Sequence, residues 1–478
     1  MSVDTSNVSI LHWVSSDKHK CGYCGAKNSI TNGLWAECLT VEDYQNMIDR
    51  GWRRSGKYCY KPIMHETCCP QYTIRCAALN FKPSKSQKKV LKKFNKYLRE
   101  GNSPTSAPET INSDTIADCD GMQDFVMPQC VKEIGNQIKL GISSILTNSA
   151  VESSLSQSTS LVNNLTKSNS TASPKKEVKK GVGADVSLPK CQKAKYLRQK
   201  RREAKLLQAG QPQPTPVQQN KEKSLTDLIN EQSMDNLHNI QVKLIQLEGA
   251  EWKQYRKIEF ELYRKYQVCV HKDPPEKCTQ KSFENFLADS PLQSSNKTFG
   301  SFHQQYWLDD KLIAVGVIDI LPRCVSSVYF FYDPDYNHLT LGTYSALREV
   351  EFTQRLHLKQ PSIEYYYMGF YIHTCIKMRY KGKFFPSDLL CPETYAWTPI
   401  DQCLPLLEVS KYSRLQKPGV RDDNNCLPGP LLDEMKIVID YTVYKARQLR
   451  DKRDLGESIK LLGELLGKKL IASVYIAF

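Results

Sequence analysis

No run of apolar residues in this 478-residue chain approaches the ~20 needed to cross a bilayer as a helix, and Met1 to Ile10 lacks the charged-then-apolar order of a secretory leader. A soluble protein with no membrane partner is expected. The missing leader also decides how the cysteines read. Seventeen of them, an odd number, fit thiols kept reduced or bound to metal better than a disulfide framework. Sustained apolar periodicity is missing from residues 101–220, which are rich in Ser, Asn, Pro and Gln. That stretch reads as a low-complexity, largely disordered linker with one short helix near Val131 to Leu146. Acidic residues are scarce in part of it. Between Lys167 and Lys205 stand 13 Lys/Arg against 3 Asp/Glu, so most of the formal net charge of +15 sits there. A solvated linker, a tRNA-binding arm and a nuclear-import segment all fit this composition.

Residues 1–100 carry the sharpest chemical signal. Cys21-Gly22-Tyr23-Cys24 is a C-x-x-C knuckle, and Cys68-Cys69 supplies a second thiol pair that can complete a four-sulfur shell. Gly22 and Gly25 suit the tight turn, because they accept backbone angles that turn N–H groups toward sulfur. Cys21, Cys24, Cys68 and Cys69 are therefore the candidate metal ligands, with His19 and His65 close enough in sequence to compete. Zinc and an iron–sulfur cluster both suit sulfur ligation. The segment ends in an amphipathic helix, with apolar Val90, Leu91, Phe94 and Leu98 between Lys88, Lys89, Lys92, Lys93 and Lys96, stopped by Gly101 and Pro104.

Residues 221–478 read as a mixed α/β (α+β) domain. Strand-like runs fall at Ile240 to Leu247, Leu312 to Leu321, Val325 to Tyr332 and Ile363 to Phe370, with helices at Thr343 to Leu356 and near Glu434 to Arg450. A strand, the breaker Asp333-Pro334-Asp335 and a turn with Gly342 before a helix would present free backbone N–H groups to a phosphate or carbonyl oxygen.

Several long motifs then resemble those of eukaryotic arginyl-tRNA–protein transferases. They are Cys21-Gly22-Tyr23-Cys24, Gly51-Trp52-Arg53-Arg54-Ser55-Gly56-Lys57-Tyr58 and Cys68-Cys69-Pro70-Gln71-Tyr72-Thr73-Ile74-Arg75, followed by Gly300-Ser301-Phe302-His303-Gln304-Gln305-Tyr306-Trp307, Tyr332-Asp333-Pro334-Asp335-Tyr336, the run Tyr365 to His373, and Lys377-Met378-Arg379-Tyr380-Lys381-Gly382. The resemblance spans both ends of the chain, skips the linker and thins after Lys417. It implies a small N-terminal cysteine-rich module that binds a metal or an iron–sulfur cluster and recognises substrate, joined to a GNAT-like aminoacyl transferase domain. It also implies transfer of arginine from arginyl-tRNA to the α-amine of proteins beginning with Asp, Glu or oxidised Cys, marking them for ubiquitin-dependent degradation. A cytoplasmic and nuclear monomer needing no nucleotide cofactor beyond arginyl-tRNA is expected.

Such chemistry asks little of the protein. An aminoacyl ester is already activated, and an α-amine with a pKa of about 7.7–8.0 is partly neutral at pH 7. The site must juxtapose the reactants, stabilise an oxyanion and pass protons. Candidates for that work are the backbone at Gly342, the carboxylates Asp333 and Asp335, and the hydroxyls Tyr366 and Tyr367. An acidic acceptor calls for cations, and Arg53, Arg54, Lys57 and Arg75, with Tyr72 beside them, are the candidates. Arg53 and Arg54 cannot both point the same way from an extended segment, so one of them is expected to serve structure or tRNA phosphate. Arg379, Lys381 and Lys383, interleaved with Tyr380, Phe384 and Phe385, form the basic and aromatic patch expected to meet tRNA. The rival reading is a non-catalytic RNA-binding zinc protein with the α/β domain as scaffold.

Overall fold

The computed structural model describes residues 8–101, 201, 223–231, 236–417, 429–440, 442–449 and 453–478. The helix expected near Val131 to Leu146 and nearly all of the linker lie outside them. Among the described residues no helix is long and apolar enough to cross a membrane.

Two mixed sheets organise the chain. The first contains β1 (Ser9–His19), β2 (Ser29–Thr40), β3 (Arg53–Ser55), β4 (Tyr58–Pro62) and the short β7 (Leu292–Gln293), extended by β14 (Lys436–Ile439), β15 (Thr442–Lys445) and β16 (Val474–Ala477) in the order β15-β14-β16-β1-β2-β4-β3, with β7 on β2. The second runs β13-β12-β5-β11-β10-β9-β8-β6, from β5 (Tyr72–Ala77), β6 (Ile240–Gln246), β8 (Gly300–Leu308), β9 (Lys311–Leu321), β10 (Cys324–Tyr332), β11 (Tyr365–Tyr371), β12 (Ser387–Leu390) and β13 (Trp397–Pro399).

The long apolar run of β9 is buried almost throughout and lies between β8 and β10, as a strand covered on both faces must. It joins β8 through Asp309 and Asp310, both at positive φ (46° and 66°), the geometry of a two-residue hairpin whose twist matches the strands. Helices Lys85–Glu100, Trp252–Tyr266 and Leu341–His357 pack their apolar residues into the core of this second sheet. Helices Val41–Ile48 and Arg453–Ser473 do the same for the first sheet.

Residues 1–100 do not stand apart. Strand β5 is paired on both edges, with β11 and β12, while β16 pairs in parallel with β1, Ser9 opposite Val474. A strand as buried as β5 needs neighbours on both sides to satisfy its backbone, so it belongs inside a sheet. The described residues of 8–101 and 223–478 accordingly belong to one compact unit.

The helix expected near Glu434 to Arg450 is instead the hairpin β14–β15 followed by a 3₁₀ turn, Ala446–Leu449. Ile437-Val438-Ile439 and Thr442-Val443-Tyr444 are β-branched or aromatic, Asp440 turns at φ 47°, and β16 offers an edge to pair with. The last helix comes later, Arg453–Ser473, kinked at Gly467.

Candidate active site

The site begins where two parallel strands part. Strands β10 and β11 are registered only at Cys324–Tyr365, Val325–Tyr366 and Ser326–Tyr367, although β10 runs on to Tyr332 and β11 to Tyr371. Two irregularities drive the separation: β10 slips against β9 between Ser327 and Tyr329, and β11 slips against β5 between Tyr367 and Phe370. Gly369 sits in the second slip at φ 66°, a conformation that favours glycine.

One opening of this gap, a cleft of about 680 Å³, is lined by Tyr23, Tyr44, Arg53, Arg54, Ser55, Tyr60, Ser327, Gly369, Phe370, Met378 and Lys381 among others. Its two arginines differ. Arg54 is locked into the fold, Nε donating to Asp319 Oδ2 at 2.9 Å and Nη2 to Asp319 Oδ1 at 2.5 Å and Ser301 Oγ at 2.8 Å. Arg53 donates only to carbonyl oxygens, those of Ile48, Trp52 and Gly369, and lies over the Phe370 ring at 5.3 Å. Arg53 Nε and Ser55 Oγ are buried with no hydrogen-bond partner among the described residues. Buried donors left without acceptors on the wall of a cleft point to a ligand that brings them. Because carbonyls do not cancel a full charge, the ligand that suits Arg53 is an anion.

The other opening, about 460 Å³, is lined by Ser327, Phe330, Gly342, Ser345, Ala346, Tyr366, Met368, Tyr380 and Lys381. Ser327 and Lys381 therefore border both. Lys381 is buried and donates from Nζ to Phe370 O at 2.9 Å. Thr340, at φ 56°, starts the helix Leu341–His357, and no side chain caps that end, so the backbone at Gly342 is presented to the opening.

Beneath Tyr366 lies a residue the sequence did not mark. Glu349, buried in the same helix, accepts a hydrogen bond from Tyr366 Oη at 2.7 Å and one from Ser327. Burial pushes its carboxyl up to about 7 against the pull of those two donors. Room for it comes from Gly316 on β9, where a Cβ would stand 3.0 Å from Glu349 Oε1.

Of the residues marked by sequence, the gap brings together Arg53, Arg54, Gly342, Tyr366 and Lys381. The others stand elsewhere. Tyr367 faces the opposite side of its strand and donates to Asp49 Oδ1 at 2.7 Å. Asp333 is held by Lys265 at 2.5 Å and Lys311 at 2.8 Å; burial opposes its ionisation, yet the two ammonium groups keep its carboxyl below the usual range. Asp335 is exposed and paired with Lys265 at 2.7 Å. Arg75 donates to Asp388 at 3.0 Å and is stacked between Tyr365 (3.8 Å) and Trp397 (4.1 Å). Tyr72 accepts from the Ser413 N–H at 2.8 Å, and Lys57 is half-buried on the turn before β4. Arg379 is exposed and donates from Nε to His373 O at 2.6 Å, and Lys383 is exposed.

Cys21, Cys24, Cys68 and Cys69 come together with all four sulfurs within 4.8 Å of one another, Cys24 and Cys68 at 3.5 Å. His19 and His65 are not among the four. A hydrogen bond from the Ala26 backbone, before any other cause, draws the Cys24 thiol down to about 7, while burial raises Cys68 to about 12. Four sulfurs this close, one already near its ionisation point, fit a metal ion. Tyr23 and Met378 pack against this cluster and also line the first opening.

Two family models match the chain: "Arginine-tRNA-protein transferase, N terminus" over residues 19–89, and "Arginine-tRNA-protein transferase, C terminus" over residues 258–391. The arginyl-tRNA–protein transferase 1 of Drosophila melanogaster is 43% identical over 482 residues, covering 97% of this chain and 98% of that protein. The arginyl-tRNA–protein transferase 2 of Arabidopsis thaliana is 34% identical over 477 residues, covering 85% and 78%. An aspartate/glutamate leucyltransferase of Acinetobacter baumannii is 34% identical over 142 residues, 29% of this chain and 47% of that protein.

Proposed function

The chain belongs to the arginyl-tRNA–protein transferase family, carrying arginine from tRNA to protein N-termini, and we propose that it does so across the gap between β10 and β11, with the two parting strands used as in the GNAT fold. The observation that carries this reading is the pair of openings that meet at Ser327 and Lys381. The arginyl ester enters past Gly342 and the acceptor amine past Arg53. Held against each other, the amine nitrogen attacks the ester carbonyl, the C–N bond forms, and the C–O bond to the ribose breaks. Lys381 Nζ and the backbone N–H groups of the gap stabilise the oxyanion. The proton lost by the amine passes through the Ser327 and Tyr366 hydroxyls to Glu349, which returns a proton by the same route to the departing ribose oxygen, so the balance closes.

Acidic acceptors are favoured because Arg53 and Ser55 offer unmet donors where the first side chain of the acceptor would sit. The bacterial relative, whose name pairs aspartate and glutamate with an aminoacyl transfer, supports the same class. Arg54, already neutralised by Asp319, shapes the pocket. Marking such proteins for degradation would follow from the product.

At the cysteines the reading is a single tetrahedral ion. Zinc–sulfur bonds of about 2.3 Å put sulfurs about 3.8 Å apart, close to the spacing here, whereas a multi-iron cluster places irons and sulfides between its thiolates and spreads them. When bound, the ion supplies structural cross-linking: it ties the Cys21–Cys24 knuckle to Cys68 and Cys69 and so holds Tyr23 on the wall of the acceptor opening.

The test is direct. Purified protein, arginyl-tRNA and peptides beginning with Asp, Asn or Ala should give arginine transfer to the Asp peptide with strong preference. No transfer would overturn the catalytic reading and restore the RNA-binding alternative; equal transfer to all three would overturn the role given to Arg53.

A further inference from the structure

The helix Lys85–Glu100 is built in two halves that no step of the chemistry uses together. Its apolar half is buried, with Phe94 stacked on Tyr344 at 3.9 Å. Tyr344 belongs to the helix whose Gly342, Ser345 and Ala346 line the donor opening. The helix is pinned on the same side by Gln87 Nε2, which donates to Lys383 O at 3.3 Å, and by Phe81, just before it, stacked on Phe384. Its other half is a field of cations. At 100° per residue, Lys85, Lys89, Lys92, Lys93, Lys96 and Arg99 fall within an arc of roughly 120°, and all six are exposed. The only acid in the helix is Glu100, whose carboxylate is 3.7 Å from Lys96, and Glu231 on the flanking segment is held by Lys223 at 2.8 Å. The field is therefore barely neutralised, and the helix, about 24 Å long, carries it away from the core, its first turn held against Lys383 and Phe384, which follow the Lys381 that lines the opening.

Resting on the reading of the gap as the transfer site, we infer that the cationic face of Lys85–Glu100 is the docking surface for the phosphate backbone of the donor tRNA. Lysines on an exposed helix face meet phosphates without reading bases, which suits a donor recognised through its acyl group and its shape. The exposed Arg379 and Lys383 extend the same charge toward the opening, where Phe330 and Tyr380 stand ready for unpaired bases of the acceptor end. An RNA is favoured over an acidic protein or an anionic membrane because the field leads to the opening that must receive an RNA terminus.

The experiment uses the full chain with Lys85→Gln, Lys89→Gln and Lys93→Gln together, and the matching triple Lys→Arg variant as a control for charge. Binding of uncharged tRNA is measured across a salt series, alongside transfer kinetics with arginyl-tRNA and an Asp-initiated peptide. Expected for the Gln variant are a tRNA affinity down by about tenfold or more at low salt and a log–log salt slope shallower by about 2, at 0.7–0.9 for each of three phosphate contacts. The KM for arginyl-tRNA should rise while the peptide KM and the kcat at saturating tRNA stay put, and the Arg variant should behave as the parent. An unchanged salt slope and tRNA affinity in the Gln variant, with the parent fully active, would overturn the docking surface and leave the transfer site standing. A parent that transfers no arginine would overturn the transfer site instead. Loss of binding to phosphatidylserine vesicles with tRNA binding intact would show the face to be a membrane contact and overturn the proposal.

Discussion

The two openings of the β10–β11 gap are made differently. On the acceptor side the charges are large, buried and mostly spent: Arg54 on Asp319, with Lys381 reaching a backbone carbonyl at the border. Arg53 donates to backbone carbonyls, which leave its charge uncancelled. On the donor side the wall is aromatic rings, small residues, Met368 and the bordering Lys381, and Glu349, buried beneath Tyr366, is pushed up to about 7 by burial. On the proposed reading, the difference teaches that recognition is separated from proton transfer. Selectivity for an acidic terminus is then assigned to a nearly solvent-free cation, whose effect is large because little water competes. Proton acceptance is assigned to a carboxyl raised to about 7, as an amine nucleophile that must shed a proton near pH 7 requires.

The strongest way to break this comparison is Glu349→Gln. The isosteric amide keeps the volume beneath Tyr366 but cannot take a proton, so kcat should fall by about 10²–10⁴. The parent's kcat should rise with pH through about 7, and the variant should lose that limb. Stability gives a second readout. A carboxyl raised in the fold from its usual 4.5 to about 7 contributes stability that is fully present below 4.5 and is lost as pH rises through 7. The thermal midpoint of the variant should therefore gain on the parent's between pH 5 and 8. A variant with an unaltered kcat–pH profile would remove Glu349 from the proton path.

Next in size is Cys24→Ser, which tests whether the acceptor wall depends on the thiol cluster. With one of four sulfurs gone, metal content should fall well below one ion per chain, and the first sheet should lose stability. Tyr23 fluorescence or proteolysis near Cys24 should report the loosened wall even where activity is not measured. Cys59→Ser and Cys76→Ser, at buried thiols outside the ligand group, should keep their metal. Full metal content in Cys24→Ser would exclude Cys24 as a ligand.

The thiol cluster was legible because C-x-x-C fixes two ligands locally and Cys68-Cys69 supplies two more; the chain had only to bring the pairs together. Strands β9 to β11 and the helix Leu341–His357 were legible too, because their apolar periods are long and unbroken. Other features were not, since they depend on partners far off in sequence. Alternation along a strand says that one of Arg53 and Arg54 serves structure, but nothing near Arg54 announces Asp319, 265 residues away, so the sequence does not say which. Glu349 stands two residues from Glu351, which pairs with Arg355 at 2.7 Å, and only burial under Tyr366 separates their roles. The hairpin β14–β15 stands where the sequence predicts a helix, because the edge of β16, formed by residues 474–477, takes up Lys436–Ile439 as a strand.

A finer cut lies within the arginines. Arg53→Gln should raise the KM for an Asp-initiated peptide by about 10- to 100-fold while leaving an Ala-initiated peptide's poor kinetics alone, since a charged hydrogen bond of about 1.5–3 kcal/mol is at stake. Arg75→Gln removes the bond to Asp388 and two ring contacts, so it should lower the thermal midpoint and leave peptide selectivity unchanged. If Arg75→Gln were the variant that lost selectivity, the acceptor would lie against β12 and β13 and the assignment of the first opening would fail.

The smallest effect is expected at Asp335→Asn, and its smallness is the point. Motif and turn made Asp335 a candidate for proton transfer, yet its side chain is 67% exposed and shares Lys265 with Asp333. An exposed ion pair is worth ~0–1 kcal/mol, and Lys265 keeps its bond to Asp333 when Asp335 loses its charge. Stability should move by no more than about 0.5 kcal/mol, and kcat, peptide KM and the pH profile should match the parent's. Asp333→Asn should differ from it, because that side chain is buried between Lys265 and Lys311 and accepts from the Asp335 N–H. Its loss leaves two ammonium groups without their shared counter-ion and should cost stability without shifting the kinetic pKa. A kinetic pKa that moved in Asp335→Asn while Glu349→Gln kept its own would reverse the assignment, placing proton transfer at the turn before the helix and leaving Glu349 a buried structural acid.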